Sequence, residues 1–325
     1  MTAIVDFVNS ILWGYVLVWG LLAVGVFFTF RLGFLQFVNF NEMIRAIRGS
    51  RESDANGISP FQALCTSLAS RVGTGNLAGV AVALYLGGAG AIFWMWMVAL
   101  VGMATGYAES TLAQLYKVRD VKGQYRGGPA VYIAKGLNAP WAAVIFAVCL
   151  IISFGLVFNA VQANSIADAI NGIKRGLFSN EAGMGSAPNI AATATPAPHH
   201  PSSQGLVQAF GVFIDTIVIC TATAVMILLA GVVEPGSGVT GTQLTQLAME
   251  THIGSAGGYF VAIAILFFAF TSIVANYTYA ENAIIYLGAG NTLGISLLRV
   301  AVLGMVVWGG YEAVTTVFNA ADASM

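Results

Sequence analysis

Charged residues are scarce in this sequence. Only 8% of its 325 residues are Asp, Glu, Lys or Arg, whereas about 25% are charged in a typical soluble domain. Hydrophobic residues make up 58%, and the mean hydropathy is +0.80. Because so few charges cannot cover a surface that faces water, the composition excludes a soluble enzyme and indicates an integral membrane protein.

Basic surface and cysteine motifs are also missing. Thirteen basic and 14 acidic residues give a formal charge of -1, so no basic face is available to bind a nucleic acid. Cys65, Cys149 and Cys220 lie far apart inside apolar runs, without the CxxC spacing of metal or redox sites. We predict that these cysteines are small packing residues.

Enzyme motifs are absent too. No serine lies in a G-x-S-x-G elbow, and the adjacent His199 and His200 lack further ligands at metal-site spacing. A membrane-embedded hydrolase would have only scattered acidic residues to support it. The Gly/Pro-rich stretch 179–204 around these histidines is therefore predicted to be a solvated loop.

Long apolar runs are what the chain has in abundance. A helix needs about 20 mainly apolar residues to cross the hydrocarbon, and strands are excluded because nothing alternates with period two over barrel length. Seven spans are predicted: Val8–Phe30, Phe61–Leu86, Ala91–Leu115, Pro140–Ala167, Leu206–Val233, Tyr259–Ala280 and Leu293–Trp308.

The basic residues of the short loops predict the orientation of these spans. The loops after spans one and three carry most of the Arg and Lys residues, so both are expected in the cytoplasm. In the first loop, apolar residues such as Phe37 and Ile44 share one helical face, which fits either an interfacial or a simple connecting helix.

Lys174 and Arg175 contradict the predicted orientation, because they follow span four on the expected outer side. An odd number of missing spans near 171–174 would resolve the conflict.

The second span is the most unusual segment. It contains Arg71-Val-Gly73-Thr74-Gly75-Asn76-Leu-Ala-Gly79, although glycine costs about 1 kcal/mol in a helix interior and a membrane-embedded arginine about 2.5–3.5 kcal/mol or more. A helix unwound from Gly73 to Asn76 would explain both features, since it frees backbone groups to bind a substrate and a sodium ion. The alternative is a close helix contact through Gly75 and Gly79.

Other polar residues interrupt the apolar spans. Gln162 and Asn164 could orient a zwitterion or form interhelical hydrogen bonds. Thr271 and Ser272 could bind a monovalent cation or their own backbone. We expect structural ion pairs for most of the remaining charged residues, which are Arg71, Glu109, Asp215, Glu281 and Arg299.

Several blocks in the right order resemble one family. They are Gly57-Ile-Ser-Pro-Phe-Gln-Ala-Leu64, Arg71-Val-Gly-Thr-Gly-Asn-Leu-Ala-Gly79, Glu109-Ser-Thr-Leu-Ala-Gln114, Gly123-Gln-Tyr-Arg-Gly-Gly-Pro129, Arg175-Gly-Leu-Phe-Ser-Asn-Glu-Ala-Gly183 and Gly211-Val-Phe-Ile-Asp215. Over most of its length the chain is similar to the alanine or glycine:cation symporter family, the bacterial sodium:alanine symporters. The resemblance implies an all-α membrane protein with a leucine-transporter-type core, an inverted repeat of five plus five helices.

The resemblance also implies a division of the chain and a set of sites. The expected parts are an extra N-terminal span with an interfacial loop (1–58), the first-repeat helices (59–171), a loop at a deletion (172–205) and an incomplete second repeat (206–325). Substrate would bind at Gly73, Thr74, Gly75, Asn76, Gln162 and Asn164, and sodium at Thr271 and Ser272. No organic cofactor is implied.

The expected function is sodium-coupled symport of alanine or glycine across the bacterial inner membrane by alternating access. Family members carry three further spans, including the second broken helix, where this chain has only residues 170–174, and they continue beyond its end. The alternative is therefore a non-transporting remnant or a membrane interaction subunit. Oligomeric state, stoichiometry and the choice between sodium and proton are not determined by the sequence.

Overall fold

The structure is a computed structural model that describes residues 18–49, 57–120, 123–171, 184–195, 200–234 and 236–312, together with residues 316, 317, 320, 321 and 324. Helices dominate this part of the chain. One two-stranded antiparallel hairpin pairs β1 (Val118–Arg119) with β2 (Tyr125–Arg126). The expected all-α membrane architecture is therefore confirmed.

The described α-helices run in this order: α1 Val18–Arg31, α2 Leu35–Val38, α3 Phe40–Arg48, α4 Pro60–Arg71, α5 Val80–Gly87, α6 Gly90–Leu115, α7 Pro129–Gly136, α8 Pro140–Leu150, α9 Phe158–Asn171, α10 Ala187–Ala191, α11 Pro201–Val212, α12 Thr221–Ala230, α13 Gly241–Ile253, α14 Ala256–Tyr286 and α15 Thr292–Tyr311. Wider π-helical turns join some of them without a break in the axis: Gly75–Gly79 precedes α5, Ile151–Val157 joins α8 to α9, and Phe213–Cys220 joins α11 to α12.

Five described segments are long and apolar enough to cross a membrane. They are Gly90–Leu115, Pro140–Ala167, Pro201–Ala230, Ala256–Tyr286 and Thr292–Tyr311, and they correspond to predicted spans three to seven. Two shorter apolar helices, Trp19–Arg31 and Gly75–Gly87, lie within the first two predicted spans. The protein is thus a multi-pass membrane protein.

The second predicted span is two helices rather than one. Helix α4 begins at a capping box, in which Ser59 and Gln62 satisfy each other's backbone N–H groups and Pro60 occupies the first turn. It ends at Arg71, and Val72 leaves the helical conformation with φ -74 and ψ 77. The predicted break is therefore present, although it is centred on Val72 and Gly73 rather than on Gly73 to Asn76.

This broken helix lies between two spans. Helix α4 contacts α14 on one side and α11 on the other, and the turn Gly75–Gly79 contacts the turn Phe213–Cys220. Helix α13, which the sequence interpretation missed, also covers it: Thr245 donates a hydrogen bond to the carbonyl of Leu77 at 2.9 Å. The break is thus enclosed by protein rather than exposed to lipid.

The segment between spans four and five corrects one expectation. Within the predicted solvated loop, residues 186–192 and Thr195 are buried, and residues 193–195 pair with Ile58. Gln114 donates hydrogen bonds to the carbonyls of Ala191 and Ala194. Small and apolar side chains let this stretch pack inside the bundle, and among its described residues His200 is the exposed one. The stretch 172–183 and His199 lie outside the described residues.

Two other expectations are also corrected or refined. Cys220 is buried as a packing residue should be, but Cys65 and Cys149 are exposed on apolar helices. In the loop after span one, Met43 is buried against α6 and α11, whereas Phe37 and Val38 are 59% and 74% exposed. This exposure favours the interfacial rather than the simple connecting helix.

Candidate functional site

Two hydroxyl groups of α14 meet the end of α4. Ser272 Oγ donates a hydrogen bond to the carbonyl of Ser70 at 2.8 Å, and Thr271 Oγ1 donates to the carbonyl of Ala69 at 3.0 Å. These carbonyls lack an ordinary i+4 partner because the helix ends at Arg71. Four neutral oxygens, two from the backbone and two from hydroxyls, therefore converge beside the break.

Such oxygens fit a hard monovalent cation. Oxygen ligands suit hard cations, and a neutral set adds no charge that would hold the ion permanently. Thr271 also donates to the carbonyl of Phe268 at 2.9 Å, which is the backbone bonding that the sequence left open as the alternative. The single O–H of Thr271 is thus shared between its own helix and α4. Thr271 and Ser272 are the pair that the sequence singled out.

Gly73 lies where three helices meet. A Cβ atom on this residue would lie 2.8 Å from Ser272 Oγ and 3.4 Å from Gln162 Oε1. Thr74 Oγ1 donates to the same Gln162 oxygen at 3.3 Å. The structure thus brings α4, α9 and α14 together at Gly73, and side chains predicted for the substrate lie next to those predicted for sodium.

Asn76 ties the break to the fifth predicted span. Its amide oxygen accepts the N–H of Gly73 at 3.1 Å, and its amide nitrogen donates to Asp215 Oδ1 at 2.8 Å. Asn76 and Asp215 are both fully buried. The Asn76 amide therefore holds the backbone at the break in place and also donates a hydrogen bond to a buried carboxyl group.

Asn164 is the predicted site residue that the structure places elsewhere. Its amide nitrogen donates to the carbonyls of Gly309 and Glu312, at 2.9 and 3.0 Å. These carbonyls belong to the end of α15, where the backbone has no helical partners. Asn164 therefore caps a neighbouring helix, because its position two residues after Gln162 turns it about 200° around α9.

Two of the arginines expected to form ion pairs bond to neutral side chains among the described residues. In the described part of the chain the salt bridges are Arg45–Glu42 and Arg126–Asp120. Arg299 bonds to the Tyr277 hydroxyl at 3.1 Å, and Arg71 to Gln208 Oε1 at 3.4 Å. The sequence interpretation missed Gln208, although glutamines at i and i+4 in an apolar span (Gln204 and Gln208) are a detectable signal.

A cavity of about 140 Å³ lies away from the break. It opens between the β hairpin, α7, α8 and the end of α14, and its polar lining includes Asp120, Arg126, Asn189 and Asn282. Asn282 donates to Asn189 Oδ1 at 2.9 Å, so much of this polar lining is already hydrogen bonded. The cavity brings together none of the predicted site residues.

Comparison with known proteins agrees with these observations. A sequence model described as the sodium:alanine symporter family matches residues 1–171 and 169–325. The two matched stretches meet at the position of the predicted deletion.

Individual relatives give the same result. An Escherichia coli strain K12 protein named "Uncharacterized transporter" is 39% identical, with 98% of this chain and 86% of that protein aligned. A Bacillus subtilis strain 168 protein named "Probable sodium/glutamine symporter" is 40% identical, with 99% and 85% aligned. A Methanococcus maripaludis protein named "Sodium/alanine symporter" is 33% identical, with 98% and 90% aligned.

These alignments run over 410 to 416 positions, more than the 325 residues of this chain, so the relatives carry additional residues within the aligned region. The family match nonetheless extends over both halves of the chain, and the enclosed broken helix lies within the first matched stretch. The protein belongs to the sodium:alanine symporter family, whose members are sodium-coupled amino-acid transporters and not enzymes.

Proposed function

We propose that the chain carries out symport of alanine or glycine with sodium across the bacterial inner membrane by alternating access. The observation that carries this proposal is the break at Gly73, where the hydroxyls of Thr271 and Ser272 and the amide of Gln162 converge on α4. Broken helices at which ions and substrate meet are typical of secondary transporters.

Sodium would bind between α4 and α14. The ligands would be the carbonyl oxygens of Ala69 and Ser70 together with the hydroxyl oxygens of Thr271 and Ser272. Each hydroxyl now donates to a carbonyl. Rotation of the two O–H bonds would turn their lone pairs toward the ion, and the ion would then hold the two helices together.

The amino acid would bind on the other side of Gly73. Thr74 and Gly75 would offer backbone N–H groups to its carboxylate, and Gln162 would offer its amide group. Gly73 and Asn76, which are bonded to each other, would shape the site around the substrate. Asn164 is not retained as a substrate ligand, because it bonds to the end of α15. The close approach of Ser272 and Gln162 to Gly73 supports a small substrate side chain.

Coupling requires a difference in affinity between two conformations. A sodium ion that binds more tightly when α4 and α14 are in contact stabilises the arrangement in which Gly73 meets Gln162. By linkage, the amino acid then raises the affinity for sodium by the same factor.

The test is uptake of labelled alanine into proteoliposomes under an inward sodium gradient, with a no-gradient control. We expect saturable uptake that requires sodium. Excess unlabelled glycine should compete and excess glutamine should not. Competition by glutamine alone would contradict the proposed substrate, and uptake driven by a proton gradient without sodium would contradict the proposed coupling.

The second candidate function is a non-transporting remnant of the family. It is favoured by the two-part family match and by the extra aligned residues of the relatives, because the lost segment would include half of the substrate site. Absence of uptake in the same assay, by protein shown to be folded and inserted, would support the remnant and overturn the proposed transport.

A further inference from the structure

Arg71 is a buried charge that forms no salt bridge with any residue in the described part of the chain. The residue is 4% exposed. A guanidinium group stays protonated in proteins, so it cannot become neutral to avoid burial. Buried charges in membrane proteins are normally paired or mark a function, which makes this arginine exceptional.

Its hydrogen bonds among the described residues do not replace a salt bridge. The guanidinium has five N–H donors, yet its one bond in the described structure is the long contact from Nη2 to Gln208 Oε1 at 3.4 Å. The Nε and Nη1 atoms are buried without a partner. Most of the donor capacity of Arg71 is therefore unused.

Unused polar atoms cluster around this group. Gln208 Nε2, both polar atoms of Gln204 and the hydroxyl of Ser67 are also buried without partners. Ser67 and Arg71 share one face of α4, and Gln204 and Gln208 share one face of α11, because each pair is four residues apart. These two helices contact each other. The cluster thus lies between them.

A glycine makes room for the guanidinium. A Cβ atom at Gly211 would lie 3.4 Å from Arg71 Nη1 and 3.1 Å from Leu64 Cδ1. The polar groups next to this position are the guanidinium of Arg71 and the carboxamide of Gln208, both of which can donate hydrogen bonds. The carboxyl group of Asp215 lies one turn further along the same span but is bonded to Asn76 and forms no salt bridge with Arg71 among the described residues. A positive charge with several free donors is complementary to a compact anion.

We propose that Arg71, Gln208, Gln204 and Ser67 bind one small monovalent anion between α4 and α11. The chemistry fits a chloride ion or the carboxylate of a small amino acid, since each accepts several N–H and O–H bonds and neutralises one charge. The site lies on the opposite side of α4 from Thr271 and Ser272. It does not depend on whether the chain transports.

The test is thermal unfolding of the purified full chain in detergent, at constant sodium and ionic strength. We expect a midpoint that is about 3 °C or more higher in sodium chloride than in sodium isethionate, whose anion is bulky. If the carboxylate is the ligand, L-alanine will raise the midpoint in isethionate, L-alaninamide will not, and chloride will compete with L-alanine. Because L-alanine is also expected to bind beside Gly73, its effect supports the anion site only where chloride competes with it. Stabilisation by chloride itself indicates an inorganic anion, so the two arms distinguish the sources.

Variants connect the effect to Arg71. Arg71→Gln should abolish the dependence on the anion, whereas the exposed Arg48→Gln should retain it. Gln208→Glu places a fixed carboxylate beside Arg71, so it should raise the midpoint in isethionate and remove both the response to chloride and the competition between chloride and L-alanine. This second variant keeps the test decisive if Arg71→Gln does not fold. Equal midpoints for the wild-type protein in chloride and isethionate without competition between chloride and L-alanine, or a response to chloride that persists in Gln208→Glu, would overturn the proposal.

Discussion

The two sides of the broken helix differ in charge. Toward α14, the contacts join hydroxyls to carbonyls, and every group is neutral. Toward the span Pro201–Ala230, the helix presents Arg71 and meets the carboxyl group of Asp215, and each of these groups is bonded to a neutral amide. The same short segment thus has one neutral and one charged interface.

The difference indicates how each side can work. Neutral oxygens can release a cation as readily as they bind it, because no opposite charge is left uncompensated when the ion leaves. A buried charge is energetically costly when it has no partner, so the contacts that helices and ligands make with buried charges should persist longer. We infer that the α14 side is the reversible one and that the Pro201–Ala230 side anchors the broken helix.

Asn76→Ala should have the largest effect on stability. The substitution removes the bond from the N–H of Gly73 to the Asn76 amide, which leaves that N–H only the carbonyl of Arg71, and it takes an amide donor away from the buried Asp215. We expect a loss of about 3 kcal/mol in the free energy of unfolding, measured by thermal unfolding in detergent. Asn41→Ala on the exposed surface of α3 is the control. An unchanged midpoint for Asn76→Ala would mean that the charged side does not anchor the helix.

Gly73→Ala should disrupt the neutral side by overpacking. The new Cβ would be too close to Ser272 Oγ, and overpacking costs about 1–3 kcal/mol. We expect alanine uptake and the stabilisation by sodium to fall together. Gly304→Ala is matched to it, because a Cβ at Gly304 meets nothing within 4 Å. If both variants behave like the wild-type protein, the close approach at Gly73 is not part of the site.

Ser272→Ala should weaken sodium binding without unfolding the protein. It removes one proposed ligand, so we expect the sodium concentration at half-maximal stabilisation to rise about tenfold, which corresponds to about 1.4 kcal/mol. Ser296→Ala, on an exposed position of α15, should leave this value unchanged. A response to chloride that survives in Ser272→Ala would show that the two sides bind their ions independently.

Asn164→Ala should have the smallest effect. Loss of its bonds to the α15 carbonyls should cost about 1 kcal/mol of stability and leave the KM for alanine unchanged. Gln162→Ala, which changes a neighbouring amide on the same helix, should instead raise KM. The pair can be compared in the same uptake assay, and a raised KM in Asn164→Ala would return this residue to the substrate site.

Most of the fold could be predicted from the sequence, because lipid imposes a simple rule. Long runs without charge locate the membrane spans, and the predicted Pro140–Ala167 has the observed bounds. Helix α13 and the buried stretch 186–195 were missed because neither is long and apolar enough to indicate a span. Their placement depends on neighbours such as Leu77 and Gln114, which no local pattern reveals.

Site residues could be predicted from the sequence where a residue type is energetically costly at its position, because such residues are typical of functional sites. Glycines and an arginine inside an apolar span are expensive, and they correctly indicated a break beside Gly73. The partners of the break were harder to assign, since Gln162 and Asn164 are equivalent in the sequence. Only the rotation around α9 separates the amide that meets Thr74 from the amide that caps α15.

The sequence by itself determined that this protein is helical, crosses a membrane and contains a broken helix, because hydrophobic length and the cost of glycine and arginine in lipid act locally. The tertiary structure decided which polar groups face each other. It placed the hydroxyls of α14 on the free carbonyls of α4, joined Asn76 to Asp215, and left Arg71 without a salt bridge among the described residues. These pairings depend on how helices distant in sequence pack, and the packing is a property of the whole bundle.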